Sequence, residues 1–367
     1  MPWGLVGMAV LVLSVEGFVA RNELQFSTRI TAAWRFSARA ASRNSMGAEV
    51  LCFGDSLVKL GVLPRVLEHG IGRPVYNLAA PGGQAPTSYY LLRRALASRT
   101  ETPKAIIVDF HPNLLAVAPR SSGPLWPELV NLRECFDLSI HARDPSLLLE
   151  TTLACLFPTI KDRIEVRAAT IAALEGKPRP GLIEMVAHLH NWQANLGAQV
   201  TPRTSQIKDL NESTGQEQLA AWQPHRANTV FVRRFLDLAA ERRIKVFWLL
   251  PPTSPAWQDR RDRLNLTAQY TRYARQLQSQ YPNLVIVDGQ HAGYDRSVFR
   301  DATHLDRKGA LTLSLALVDV IGAHLDGRLS GLRWVDLPGY RERSDVVPLE
   351  DVDQSRLVLQ ERNTKRQ

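Results

Sequence analysis

The chain has 367 residues, 45% hydrophobic and 22% charged, an ordinary globular composition that excludes disordered, collagen-like and disulfide-scaffold proteins. Lys and Arg number 45 against 36 Asp and Glu, a net charge of +9. Such a surplus suits anionic lipid or an acidic polysaccharide as well as nucleic acid. The arginines are scattered, with no basic helix interleaved with aromatics, so no nucleic-acid partner is expected.

Residues 1–20 are apolar apart from Ser14 and Glu16, about the length a membrane span needs. The run ends Phe18-Val19-Ala20 before Arg21. Phe18 fits poorly among the small residues that precede a signal cleavage site, which favours an uncleaved anchor over a signal peptide. A buried helix is the third option. Glu16 is costly in hydrocarbon unless it lies near the interface. No Lys or Arg precedes the run, whereas Arg21, Arg29, Arg35, Arg39 and Arg43 follow it. The expectation is a membrane-anchored, extracytoplasmic protein, although the positive-inside rule read literally opposes that orientation.

Residues 21–46 read as a helical stalk, with Leu24, Phe26, Ile30, Trp34 and Phe36 at roughly helical spacing. Short apolar runs over 48–53, 74–78 and 104–110 read as buried strands, separated by helices over 57–69 and 85–98. The alternation resumes with a helix over 229–242, a strand over 244–250, a helix over 264–281, a strand over 283–288 and a helix over 308–325. Strands alternating with helices predict right-handed crossovers and a parallel sheet. The fold class is therefore α/β: a three-layer α/β/α domain over 47–119 and 227–326, with a five-stranded parallel sheet.

Residues 120–226 carry no convincing strand. Helices are expected over 147–174 and 183–196, broken by Lys177-Pro178-Arg179-Pro180-Gly181. A segment this long is no plain loop, and it reads as a helical insertion, or cap, over the strand ends. The 327–367 tail is polar and is expected to be extended or partly disordered. Cys52 lies in a core strand. Cys135 and Cys155 have the option of pairing in an oxidising compartment, but nothing in the sequence requires it.

Gly54-Asp55-Ser56-Leu57 sets a serine directly after a buried strand. A hydroxyl is a weak nucleophile until a base takes its proton, and the base needs a carboxylate to orient it. Asp301-Ala302-Thr303-His304 supplies both, three residues apart, just before the last helix. Taken singly, Ser56 also reads as a helix N-cap, and Asp301 with His304 as a solvated turn.

Four blocks in this order resemble the SGNH, or GDSL, hydrolase superfamily. They are Gly54-Asp55-Ser56-Leu57; Asn77-Leu78-Ala79-Ala80-Pro81-Gly82; Phe110-His111-Pro112-Asn113-Leu114; and Asp301-x-x-His304 with Leu305 and Gly309-Ala310. The third departs from the family's Gly-x-Asn-Asp: Phe110 or His111 replaces the glycine, and Leu114 the aspartate. The resemblance covers about 47–119 and 240–325. It implies a flavodoxin-like sheet and a serine esterase or acylhydrolase. Ser56 is then the nucleophile, His304 the general base and acid, and Asp301 its orienting partner. The Ser56 and Gly82 N–H groups and the Asn113 amide form the oxyanion hole, with Gly83 an alternative to Gly82.

His111 is either a pocket residue or a strand-end surface histidine. Asp55 is expected to tie down the turn. His188 and His190, two apart on a helix, are a poor metal pair, and His291 lacks a partner. Asn211-Glu212-Ser213 and Asn265-Leu266-Thr267 match the glycosylation acceptor, a frequent chance match. There is no Walker loop and no G-x-G-x-x-G, so neither cofactor nor metal is expected. The expected substrate is a small-molecule or carbohydrate ester. Two other readings stay open: an O-acyltransferase acting on a surface polysaccharide, and a catalytically idle module that binds carbohydrate or tethers a complex.

Overall fold

The computed structural model describes residues 3–177, 181–202 and 222–364. Its frame is one sheet, formed by β1 (Val50–Phe53), β2 (Val75–Asn77), β3 (Ala105–Val108), β4 (Lys245–Leu250), β5 (Leu284–Asp288) and β6 (Trp334–Asp336). The order is β2-β1-β3-β4-β5-β6 and every neighbouring pair is parallel. The central strands are near-continuous aliphatic and aromatic runs because a parallel sheet covered on both faces buries both sets of side chains. In β1, Leu51 and Phe53 enter one core and Val50 and Cys52 the other, as a period of two requires.

Helices cover both faces. In chain order they are α1 (Trp3–Arg21), α2 (Arg29–Ser42), α3 (Ser56–Gly61), α4 (Pro64–Ile71), α5 (Ala85–Ala97) and α6 (Pro112–Ala116). Then come α7 (Leu132–Ala142), α8 (Pro145–Leu156), α9 (Pro158–Lys161), α10 (Arg163–Leu174), α11 (Leu182–Ala194) and α12 (Arg226–Glu241). The last are α13 (Pro255–Arg263), α14 (Leu266–Gln280), α15 (Arg307–Leu325) and α16 (Val352–Thr364). Trp34, Tyr90, Phe231 and Tyr270, from α2, α5, α12 and α14, pack against one face. Val58, Leu67 and Leu313, from α3, α4 and α15, pack against the other.

Six features differ from the sequence reading. The helix expected over 147–174 is three, α8, α9 and α10, with Pro158 starting a new helix. The tail, expected to be extended or partly disordered, carries α16. The sheet has six strands, not five: β6 comes from the polar tail and pairs Trp334 with Ile286. A three-residue edge strand is too short for any periodicity to mark it. The expected helix over 57–69 is two, α3 and α4, because Pro64 cannot continue a helix and begins a new one instead. The helix over 264–281 is likewise shorter and is preceded by α13. The 21–46 segment, read as a stalk, belongs to the globular body: Trp34 is 1% exposed and meets Trp126 edge-on at 5.2 Å.

Residues 120–226 are helical or irregular wherever they are described, beginning with a 3-10 stretch over Pro119–Glu128. Residues 178–180 of the expected break and the Asn211-Glu212-Ser213 acceptor lie outside the described residues. Asn265 caps α14 at the surface. Cys135 and Cys155 are reduced, with sulfurs 3.7 Å apart. Among the described residues, two helices are long and apolar enough to cross a membrane. α15 is 67% buried and serves the core, whereas α1 is almost wholly exposed. Glu16 accepts hydrogen bonds from the Thr159 backbone N–H (2.9 Å) and hydroxyl.

A buried ion pair fastens α2 to the 3-10 stretch: Arg35 Nε and Nη2 donate to the two Glu128 oxygens at 2.7 and 2.8 Å. Removing Arg35 leaves the buried Glu128 carboxylate with Lys161 alone, at 3.2 Å. Arg35→Ala is therefore expected to lower stability by about 3 kcal/mol in urea unfolding, and Arg35→Lys, which keeps the charge, by less.

Candidate active site

The strand order reverses between β1 and β3, where open parallel sheets form a crevice at the carboxyl ends of their strands. Ser56 sits there as the first residue of α3. Gly54 makes the sharp exit from β1 possible: its φ is +130°, and a Cβ would lie 3.0 Å from the Asp109 carbonyl oxygen. Asp55 caps α3 by accepting the Leu57 N–H at 2.7 Å, as expected for a turn residue.

The loop after β5 carries the other half. Asp301 Oδ1 accepts the backbone N–H of Thr303 (3.0 Å) and of His304 (2.8 Å), which winds the loop tightly around its carboxylate. The Arg300 N–H to His304 carbonyl bond and the Ser254 N–H to Ala302 carbonyl bond, both 3.0 Å, hold the loop to itself and to the end of β4. The His304 ring then spans the crevice. Nδ1 lies 2.8 Å from Asp301 Oδ2 and Nε2 lies 2.8 Å from Ser56 Oγ. Burial alone would raise the Asp301 carboxyl, but the His304 hydrogen bond and the two N–H groups hold it at about 2.

Two residues with unpaired backbone N–H groups line the same cleft. Ser56 is the first residue of its helix, so its N–H has no intrahelical acceptor. Gly82 lines the cleft as well, and its N–H has no partner among the described residues. The alternative, Gly83, donates to the Ala80 carbonyl at 2.8 Å, and a Cβ there would meet that same oxygen at 2.7 Å. Asn77 anchors this block from below, donating to the Val58 and Val62 carbonyls at 2.9 and 3.0 Å. Asn113 stands differently. It is half-buried in α6, its side chain has no hydrogen bond among the described residues, and its neighbour Leu114, not Asn113, lines the cleft.

The cleft has a volume of about 540 Å³. Its walls include Lys59 of α3, Arg29 of α2, Trp192 of α11 and Arg300, beside Ser121, Ser122 and Leu125 of the 3-10 stretch. The α2 segment also steadies the Gly82 loop: Trp34 Nε1 donates to the Pro81 carbonyl at 2.8 Å and Ser37 Oγ to that of Ala79 at 3.1 Å. The Gln84 side chain ties that loop to Ser121 at 3.0 Å. Sequence reasoning missed this supporting set. A periodic tryptophan in an isolated-looking helix and a lysine one turn after the serine carry no signal of their own.

Behind the cleft lies a buried charged group. Burial raises Asp55 to about 6, against the Leu57 N–H and the nearby His304. Burial, then the neighbouring Asp55, raises Asp109 well above the carboxylate range, against Arg261. Neither Asp109 oxygen has a hydrogen-bond partner among the described residues. His111 is lowered to about 3 by burial, then by Arg261 and His304. It sits near the catalytic edge without lining the cleft.

The remaining histidines lie elsewhere. His190 pairs with Glu350 at 3.1 Å and His188 lies 3.5 Å from Glu184. His291 does have a partner, Asp262 at 3.1 Å, which sequence could not show because the two are 29 residues apart. No group of three or more His, Cys, Asp or Glu among the described residues is arranged for a metal. Comparison with protein-family models finds no match, and comparison with curated proteins finds no similar sequence.

The raised Asp55 carboxyl has a defined consequence for stability. Between its ordinary 3.8 and about 6, the folded chain keeps a proton that the unfolded chain releases. Asp55 thus favours folding less as pH rises through that window. Asp55→Asn keeps the acceptor for Leu57 without the titration. Its melting temperature relative to the parent is expected to climb from pH 4 to pH 7, by an amount equivalent to about 3 kcal/mol at most.

Proposed function

We propose that the chain is a serine esterase or acylhydrolase of SGNH type. The observation that carries this is the unbroken Asp301–His304–Ser56 hydrogen-bond chain at the carboxyl edge of a parallel sheet, beside two unpaired backbone N–H groups. Ser56 Oγ attacks the ester carbonyl carbon while its proton passes to His304 Nε2, and the carbonyl π pair becomes the oxyanion. The Ser56 and Gly82 N–H groups are the donors proposed for that charge; the motif adds the Asn113 amide, although Leu114 and not Asn113 lines the cleft. Collapse breaks the bond to the alcohol oxygen, which leaves with the proton from His304. Water then repeats the sequence on the acyl-enzyme and restores the Ser56 hydroxyl. Asp301 stays ionised and stabilises the imidazolium throughout.

The same proposal takes the domain as three-layered, with 120–226 as its helical insertion: the 3-10 stretch and Trp192 of that segment border the cleft. It also takes residues 1–20 as a membrane anchor. In support, α1 is exposed and apolar and packs on α9, and Leu149, Leu156, Ile160, Ile164, Ile171 and Leu174 of α8–α10 are exposed too.

Hydrolysis of 4-nitrophenyl esters tests the mechanism. Ser56→Ala and His304→Ala are each expected to lower kcat about 10⁴-fold or more, and the double variant little further, because the two act as one unit. Asn113→Ala is expected to lower kcat about 10²-fold with little change in KM, since it would bind charge that exists only in the transition state. Ser56→Ala as fast as the parent would refute the mechanism. Acyl transfer to an added sugar, read by product chromatography, would identify the acyltransferase instead.

A further inference from the structure

The cleft beside Ser56 is electrically one-sided. Arg29, Lys59 and Arg300 border it, and among the described residues the only carboxylate on its wall is Asp301, committed to His304 and two backbone N–H groups. Neither Arg29 nor Arg300 makes an ion pair with a carboxylate among the described residues, so both guanidiniums are available at the cleft.

Lys59 is the least ordinary of the three. It follows Ser56 by three residues, so both lie on one side of α3. Its side chain is fully buried and its ammonium has no hydrogen-bond partner among the described residues. It rests between the Phe36 and Trp192 rings, 5.5 and 5.3 Å from their centroids. Desolvating an ammonium is costly, and burial lowers Lys59 to about 7. Two aromatic faces return part of that cost but supply no hydrogen bond. A Met or Leu would fill the same slot without that cost, so the charge has no structural reason to be there. Trp192, which covers it, is itself a wall of the cleft.

We propose that the ester taken by this cleft carries a negative charge, set against Lys59 on the inner wall and against the Arg29 and Arg300 guanidiniums. This rests on the esterase reading above and narrows its substrate class. Guanidinium groups suit the planar carboxylate or phosphate fork, and a low-dielectric wall strengthens the attraction of a buried cation. The charge belongs either to the acyl group or to the alcohol.

Two substrate pairs separate those sources. The pair 4-nitrophenyl hemiglutarate and 4-nitrophenyl butyrate varies charge on the acyl side, and 4-acetoxybenzoate and phenyl acetate on the alcohol side. The full-length chain is expected to favour the charged member of one pair by about tenfold in kcat/KM, as a single charge-assisted contact allows. Added salt should erode that preference. Arg300→Gln and Lys59→Met should each lower the rate on the charged member more than on the neutral one. Arg300→Gln covers the case in which Lys59→Met fails to fold.

A binding arm keeps this independent of catalysis. Calorimetric titration of Ser56→Ala with monomethyl glutarate and with dimethyl glutarate should show tighter binding of the charged monoester. A chain that hydrolyses neither pair but prefers the monoester would refute the esterase reading and retain the charge preference. Equal affinities for monoester and diester, with equal rates within both pairs, would overturn the proposal.

Discussion

The hydrogen bond from His304 Nε2 to Ser56 Oγ joins residues 248 apart in the chain, and the rest of the fold makes that one contact possible. A parallel sheet sends every strand out at the same edge, so the residues after β1 and after β5 end on one side of the molecule. The order reversal between β1 and β3 opens the space into which Ser56 projects. The contact also depends on rigid loops. Asp301 gathers its own loop through backbone N–H groups, and Gly54 allows β1 to turn without striking the β3 end.

The buried charges behind the cleft bear on the same contact. Burial raises Asp109 well above the carboxylate range and Asp55 only to about 6, so Asp109 keeps its proton while Asp55 adds charge near His304 as pH rises. Asp301, held at about 2 and 2.8 Å from Nδ1, is the carboxylate bonded to the ring. Acid and base roles are divided here by environment and not by residue type. The cationic wall made by Arg29, Lys59 and Arg300 has a separate role. In the proposed reading it acts on what enters the cleft, not on proton transfer between Ser56 and His304.

Much of the frame was legible because burial leaves a direct trace. Central parallel strands must be apolar on both faces, and β1 to β5 stand out as short apolar runs for that reason. Ser56, His304 and Asp301 were legible as a candidate set because each follows a strand in the expected order, and the structure brings them within hydrogen-bond reach. What escaped had no local trace. β6 is three residues long and takes its stability from pairing with β5. Trp34 looks the same in a stalk as in a core, and only the Pro81 carbonyl it binds gives it a role. Lys59 reads as a solvated helix residue until Phe36 and Trp192 close over it. Asn113 matches a motif position, and its neighbour Leu114 lines the cleft.

The most direct test of the account is covalent capture of the nucleophile. A fluorophosphonate reacts with an activated serine by forming a phosphorus–oxygen bond at Oγ and expelling fluoride. It needs the same base and the same oxyanion donors as an ester. Incubation of the full-length chain with such a reagent, followed by peptide mass analysis, is predicted to place the adduct on Ser56 alone and to fail in His304→Ala. Labelling that is absent, or that persists unchanged at other serines when Ser56 is replaced by alanine, would contradict a Ser56-centred mechanism.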